Sequence, residues 1–148
     1  MDWLLDGLNQ YRSIIHLLLH AGVPALVVMA HRAFFSQWAP YQPLITPSLM
    51  GRVLQLPLVI MLLTMAVDVD HLLANPIYAP GRCSIWFHPL HTTGAILFYI
   101  LMLFWPLIKR KVAGRLSVTD KIVAWVGAGL VIHMALDALD CLWMGCTG

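Results

Sequence analysis

The sequence predicts an all-α integral membrane bundle of four transmembrane helices with both termini outside. Three observations predict it. Of 148 residues, 60% are hydrophobic and 11% charged, and the mean hydropathy is +0.79, which leaves too little polar surface to cover a soluble globule. The apolar residues fall into four runs, each close to the roughly 20 residues that cross ~30 Å of hydrocarbon. Lys109, Arg110, Lys111, Arg115 and Lys121 gather in one loop, which the positive-inside rule places in the cytoplasm, and Arg32 and Arg52 fall on the same side. The formal charge of +2 is therefore a topology signal, with no patch for nucleic acid. The length fits one membrane domain, 1–148.

The elements follow in order. Met1 to Gln10 carries Asp2 and Asp6 but no Lys or Arg, unlike a cleavable signal peptide, and reads as a retained amphipathic lead-in with Trp3, Leu4, Leu5 and Leu8 along the interface. Span one, about 13–35, contains His16, His20, Pro24 and His31. Pro40, Pro43 and Pro47 make 36–50 a loop. Span two, about 52–73, stops before Asn75-Pro76, and a connection rich in Pro and Gly carries Arg82 and Cys83. Span three, about 88–108, opens with Pro89, which suits a first helical turn. Ser117 or Thr119 can cap span four, about 120–143. Trp3, Trp86 and Trp143 at the outer level and Trp38, Trp105 and Trp125 at the inner one read as two aromatic belts.

This topology brings the ionisable residues together. His16 and His20 lie early in span one, Asp68, Asp70 and His71 late in span two, His88 and His91 early in span three, and His133, Asp137 and Asp140 late in span four. All fall in the outer half, where an unpaired ionisable group costs about 2–3 kcal/mol on an insertion scale. His16 with His20 and His133 with Asp137 are four apart; Asp68 with His71, His88 with His91, and Asp137 with Asp140 are three apart, spacings that put each pair on one helix face. Asp68 and Asp70 cannot point the same way on a regular helix. Either one of them orients a histidine, or the helix end unwinds before Pro76.

These residues predict a divalent metal centre with ligands from His16, His20, Asp68, His71, His88, His91, His133 and Asp137. His31 is assigned to the inner interface. Imidazole with carboxylate suits zinc first, with manganese or iron next. The donors exceed the four of a closed structural site, which predicts one or two ions with open positions. All seven acidic residues are Asp, which excludes the His-Glu-x-x-His protease motif and Glu-rich di-iron bundles. Asp70 or Asp137 is expected to accept a proton in catalysis, and Asn75 and Arg82 to hold a substrate phosphate or carboxylate. Cys83, Cys141 and Cys146 lie on the outer side, where Cys83 can pair with Cys141 or Cys146; thiol ligation of a metal is the alternative.

Asp68-Val69-Asp70-His71, the His88-Pro89-Leu90-His91-Thr92 helix start and His133-x-x-x-Asp137 resemble the pattern of the membrane-bound metal-dependent hydrolases of bacterial inner membranes. With Asn75-Pro76-Ile77 and Arg82-Cys83-Ser84-Ile85, the chain is most similar to small bacterial membrane proteins of unknown function, from His16 to about Asp137. One departure stands out: the hydrolases have His-Arg-x-x-Thr-His at the third element, and the Arg is missing here. The resemblance implies a multi-pass inner-membrane protein with a metal site; with the loop charges placing that site on the periplasmic side, the expectation is a hydrolase acting on a lipid or phosphoester. The alternative keeps the residues without hydrolysis, as a metal- or haem-binding accessory subunit of a larger membrane complex. A transporter would need ionisable groups continuing inward, and the inner halves of the spans have almost none. Membrane lipids are the expected neighbours, and a homo-oligomer is compatible with the lipid-facing spans.

Overall fold

A computed structural model of the chain describes residues 11–31, 55–73 and 83–144. The amphipathic lead-in, the proline-rich loop, Asn75, Arg82 and Cys146 lie outside the described residues. Among those described, the protein is all-helical. It comprises α1 (Arg12–Ala30), α2 (Gln55–Leu63), a 3-10 helix that continues α2 over Thr64–Leu73, a 3-10 turn at Pro89–His91, α3 (Thr93–Ala113) and α4 (Val118–Met144).

Helix α4 is the centre of the bundle, in contact with α1, α2, the long 3-10 helix and α3. Two glycines let it be so. A Cβ at Gly127 would collide with the α3 backbone at Leu103 and Met102, and one at Gly129 would stand 3.0 Å from Met61 Cα in α2. Small residues are what allow helix backbones to approach this closely. The apolar core fills the rest in two clusters, Val28, Ile60, Met61 and Trp125 in one and Val67, Tyr99 and Met134 in the other. Trp125 is thus a core residue, with the His31 ring edge-on 5.0 Å away, and not part of an aromatic belt. Trp125 lies on the face of α4 that packs against Val28, Ile60 and Met61, so it meets other helices.

The helix ends are set by local chemistry. Thr92 caps α3, its hydroxyl accepting from the Ala95 N–H, and Gly114, in the left-handed region at φ 70°, terminates it. Ser117 begins α4 with a reciprocal cap: its Oγ accepts from the Asp120 N–H at 3.2 Å, while its own N–H donates to Asp120 Oδ2 at 2.7 Å. Span three was expected to begin near His88, but α3 begins at Thr93. His88 and Thr92 are both extended, at ψ 146° and 160°, so Pro89–His91 is a separate turn closed by the His91 N–H on the His88 carbonyl. Helix α1 runs through Pro24, which leaves the His20 carbonyl without its usual intrahelical donor.

Polar and apolar groups are distributed in an unusual way. Leu73 and Leu142 are each 77% exposed, whereas His91 is 0% exposed. Within α4, the segment Val118–Trp143 has 26 residues, contains an 18-residue window of mean hydropathy 1.9 and is long and apolar enough to cross a membrane; among the described residues it is the one such helix, and Ile14–Ala30 is a shorter apolar helix.

Candidate metal centre

The site begins with a change of helical winding. At the end of α2 the Thr64 hydroxyl donates to the Met61 carbonyl, competing with the α-helical ladder at the point where the 3-10 helix starts. With three residues per turn, every third side chain lines up. Thr64, Val67 and Asp70 are accordingly buried, Asp68 and His71 lie on the half-buried flank, and Val69 and Leu72 face outward. Both aspartates can therefore face the same cluster from adjacent rows, which a regular α-helix forbids.

The loop opposite delivers His91. Trp86 takes a positive φ of 65°, rare for a bulky residue. Its N–H donates to the His91 carbonyl at 3.0 Å and its indole to Thr93 Oγ1 at 3.2 Å. Tyr99 donates to the Leu90 carbonyl at 3.0 Å, fixing the same turn from α3. Cys83 is disulfide-bonded to Cys141 near the end of α4, with Cα atoms 5.2 Å apart. Of the two pairings open in the sequence, this is the one formed.

Four side chains from three elements then converge. His133 Nε2 is 3.0 Å from Asp68 Oδ1 and 3.4 Å from Asp137 Oδ2; His91 Nε2 is 3.5 Å from Asp68 Oδ1 and 3.1 Å from Asp137 Oδ2. Ligands bound tetrahedrally at about 2.0–2.2 Å stand about 3.3–3.6 Å from one another, so these spacings are close to those of a coordination shell. His91, His133 and Asp137 are buried and Asp68 is half-buried, so the group opens at Asp68. Behind His91, Asp70 Oδ2 lies 3.3 Å from Nδ1 and also accepts the Leu90 N–H at 2.8 Å. A carboxylate on the far nitrogen of a histidine ligand fixes its tautomer and ring orientation. Asp70 therefore serves His91, with its Oδ2 occupied twice.

The remaining predicted residues divide. His16 and His20 form a converging group with Asp137, and His71 forms one with Asp70 and His91. His71 also meets Ser84 Oγ at 3.2 Å, a partner that the sequence reading missed because nothing in Cys83-Ser84 distinguishes it from an ordinary loop serine. His88 is buried with its ring edge-on to His71, centroids 3.8 Å apart, and is in none of the converging groups. The extended backbone at His88 and the turn after it break the three-residue register that would have aimed His88 and His91 alike. Asp140 stands 3.9 Å from His16 Nδ1.

These buried groups of His and Asp could hold a metal ion. Zinc, manganese and iron all accept such donors. No curated protein and no solved structure matches the chain. A family pattern matches residues 10–144, almost the whole length, and the chain belongs to that family of unknown function, DUF6122.

Proposed function

We propose that the protein is a four-span inner-membrane metalloenzyme, a metal-dependent hydrolase whose His/Asp centre faces the periplasm and acts on a lipid or another phosphoester. The observation that carries it is the convergence of Asp68, His91, His133 and Asp137 at the mutual spacings of a coordination shell. Zinc is the first choice of ion for two imidazoles and two carboxylates, with manganese or iron next.

The membrane reading is supported by length and surface. The 9 residues of α2 and the 10 of the 3-10 helix rise about 33 Å together, because 3-10 winding gains roughly 2.0 Å per residue. The 21 residues of α3 rise about 31 Å. Each is enough for ~30 Å of hydrocarbon. Leucines exposed along every helix suit lipid contact. Orientation is supported from both ends of the bundle. A disulfide at the site end needs an oxidising compartment, and the basic residues from Lys109 to Lys121 lie at the other end.

In this reading His91, His133, Asp68 and Asp137 hold the ion, which supplies Lewis-acid polarisation of a substrate ester or phosphoryl oxygen. Asp70 keeps the His91 ring in place. The proton-accepting role expected of Asp70 or Asp137 falls to Asp68, at 36% exposure the carboxylate that solvent reaches most readily. An open, largely apolar groove of about 440 Å³ lined by Leu63, Thr64, Val67, Leu90, Tyr99 and Leu130 adjoins the His91 turn, which favours a substrate with a hydrocarbon chain. A haem is disfavoured: the rings of His71 and His88, and of His20 and His133, pack at centroid distances of 3.8 and 4.5 Å, with no slot between them for a flat macrocycle.

The test is metal content of detergent-purified protein by inductively coupled plasma mass spectrometry, for wild type, His91→Ala and His133→Ala, with phosphoester and lipid hydrolysis assayed on the same samples. Bound metal lost in both variants, together with activity that follows it, supports the reading. Folded wild-type protein without metal refutes it.

A further inference from the structure

Asp137 divides the imidazoles of the site into two groups. Its Oδ2 faces His91 Nε2 at 3.1 Å and His133 Nε2 at 3.4 Å. Its Oδ1 faces His20 Nε2 at 3.3 Å and His16 Nε2 at 3.6 Å. The ligand atoms of His16, His20 and Asp137 all lie within 4.8 Å of one another, a converging group in its own right. The two groups also share a wall, with the His20 and His133 rings edge to face and 4.5 Å between centroids.

The proton positions sharpen this. His20 Nδ1 is 2.9 Å from the His16 carbonyl, and a carbonyl only accepts, so Nδ1 carries a proton, and when the ring is neutral Nε2 presents a lone pair. That lone pair faces a carboxylate oxygen. The His20 side chain is 2% exposed, and its Nε2 makes no hydrogen bond among the described residues. His91 repeats the arrangement on the other oxygen, with Nδ1 held by Asp70 and Nε2 turned to Asp137 Oδ2; neither atom of that facing pair makes a hydrogen bond among the described residues. Two buried acceptors set face to face repel each other, and a cation between them turns both into ligands. On the Oδ2 side both facing atoms lack a hydrogen bond among the described residues, and on the Oδ1 side His20 Nε2 lacks one.

We propose that Asp137 bridges two divalent cations, one held with Asp68, His91 and His133, the other with His16 and His20. This rests on the metal-centre reading above and extends it to a two-ion site, in which the ions stand about 3.5–4 Å apart. The His16–His20 ion has fewer protein ligands, and its His16 side chain is 32% exposed, so it exchanges faster and loads second.

The test uses full-length protein in detergent, stripped by chelator, titrated with Mn2+, desalted and counted by mass spectrometry, with electron paramagnetic resonance on the same samples. The expected result is two Mn2+ per chain with an exchange-coupled spectrum, falling in His20→Gln to one ion with an uncoupled spectrum. One Mn2+ in wild type, unchanged in His20→Gln, overturns the second site and leaves the metal centre standing. Two ions without coupling overturn the bridge. No bound ion overturns both this inference and the reading it rests on. Stoichiometry and coupling in wild type decide the matter alone if His20→Gln does not fold.

Discussion

Asp120 and Asp137 are buried at opposite ends of one helix, and the two are treated in opposite ways. Asp120, 4% exposed at the start of α4, receives Lys109 Nζ at 2.8 Å, Trp105 Nε1 at 2.9 Å, and both the N–H and hydroxyl of Ser117. Its counter-charge is part of the chain. Asp137, equally buried near the other end of the same helix, has imidazoles at all four of its ion-pair contacts among the described residues. An imidazole offers a charge only when protonated, and otherwise a lone pair. The Asp120 carboxylate thus has its partners within the chain, while the group around Asp137 could hold a metal ion.

The largest effect that can break this contrast is on metal retention. Asp137→Ala is expected to reduce bound metal to background, and chelation of wild type to lower its thermal midpoint; a site loaded at a hundredfold excess over Kd contributes about 2.7 kcal/mol. Asp137→Ala with full metal content would end the comparison. Next comes the disulfide, which ties down the site end alone. Closing a separation of 58 residues, it is expected to contribute about 2–4 kcal/mol, read as a lower midpoint in the Cys83→Ser, Cys141→Ser double variant. An unchanged midpoint would show that the loop is held by Trp86 and Tyr99 alone. Asp70→Asn should keep the fold and weaken metal affinity about 10–100-fold, measured by competition with a chelating dye. Equal affinity would remove Asp70 from its role behind His91. The smallest effect belongs to the other end: Asp120→Asn is expected to lower the midpoint with metal content unchanged, and any metal loss there would mean that the two ends are not independent.

Much of the site was legible because it was written in residue types that apolar surroundings do not tolerate idly. His16, His20, Asp68, His91, His133 and Asp137 stand out against leucine, and a four-run hydropathy pattern is enough to bring them to one end. Ser117 as a cap and Cys83 as a disulfide partner were legible for the same local reasons. The 3-10 winding after Thr64 was legible only as one of two alternatives, an unwound helix end raised by the Asp68/Asp70 spacing, because the bond from Thr64 to Met61 is visible only in three dimensions. The separate behaviour of His88 and His91 was hidden for a related reason: Pro89 fits both a helix start and a one-turn 3-10 element followed by an extended residue. Trp125 was misread because tryptophan suits an interface and a core equally, and only the central place of α4 decides between them.

The winding of Thr64–Leu73 has one last consequence. An α-helix turns about 100° per residue and a 3-10 helix about 120°. From Thr64 to Asp70 the difference accumulates to about a third of a revolution. Were this stretch to rewind as α-helix from Thr64, the Asp70 carboxylate would swing off the His91 ring, and the segment would shorten by about 5 Å over its 10 residues. The pitch of a single short stretch of backbone therefore sets the aim of the whole centre, as thread pitch sets where a screw comes to rest.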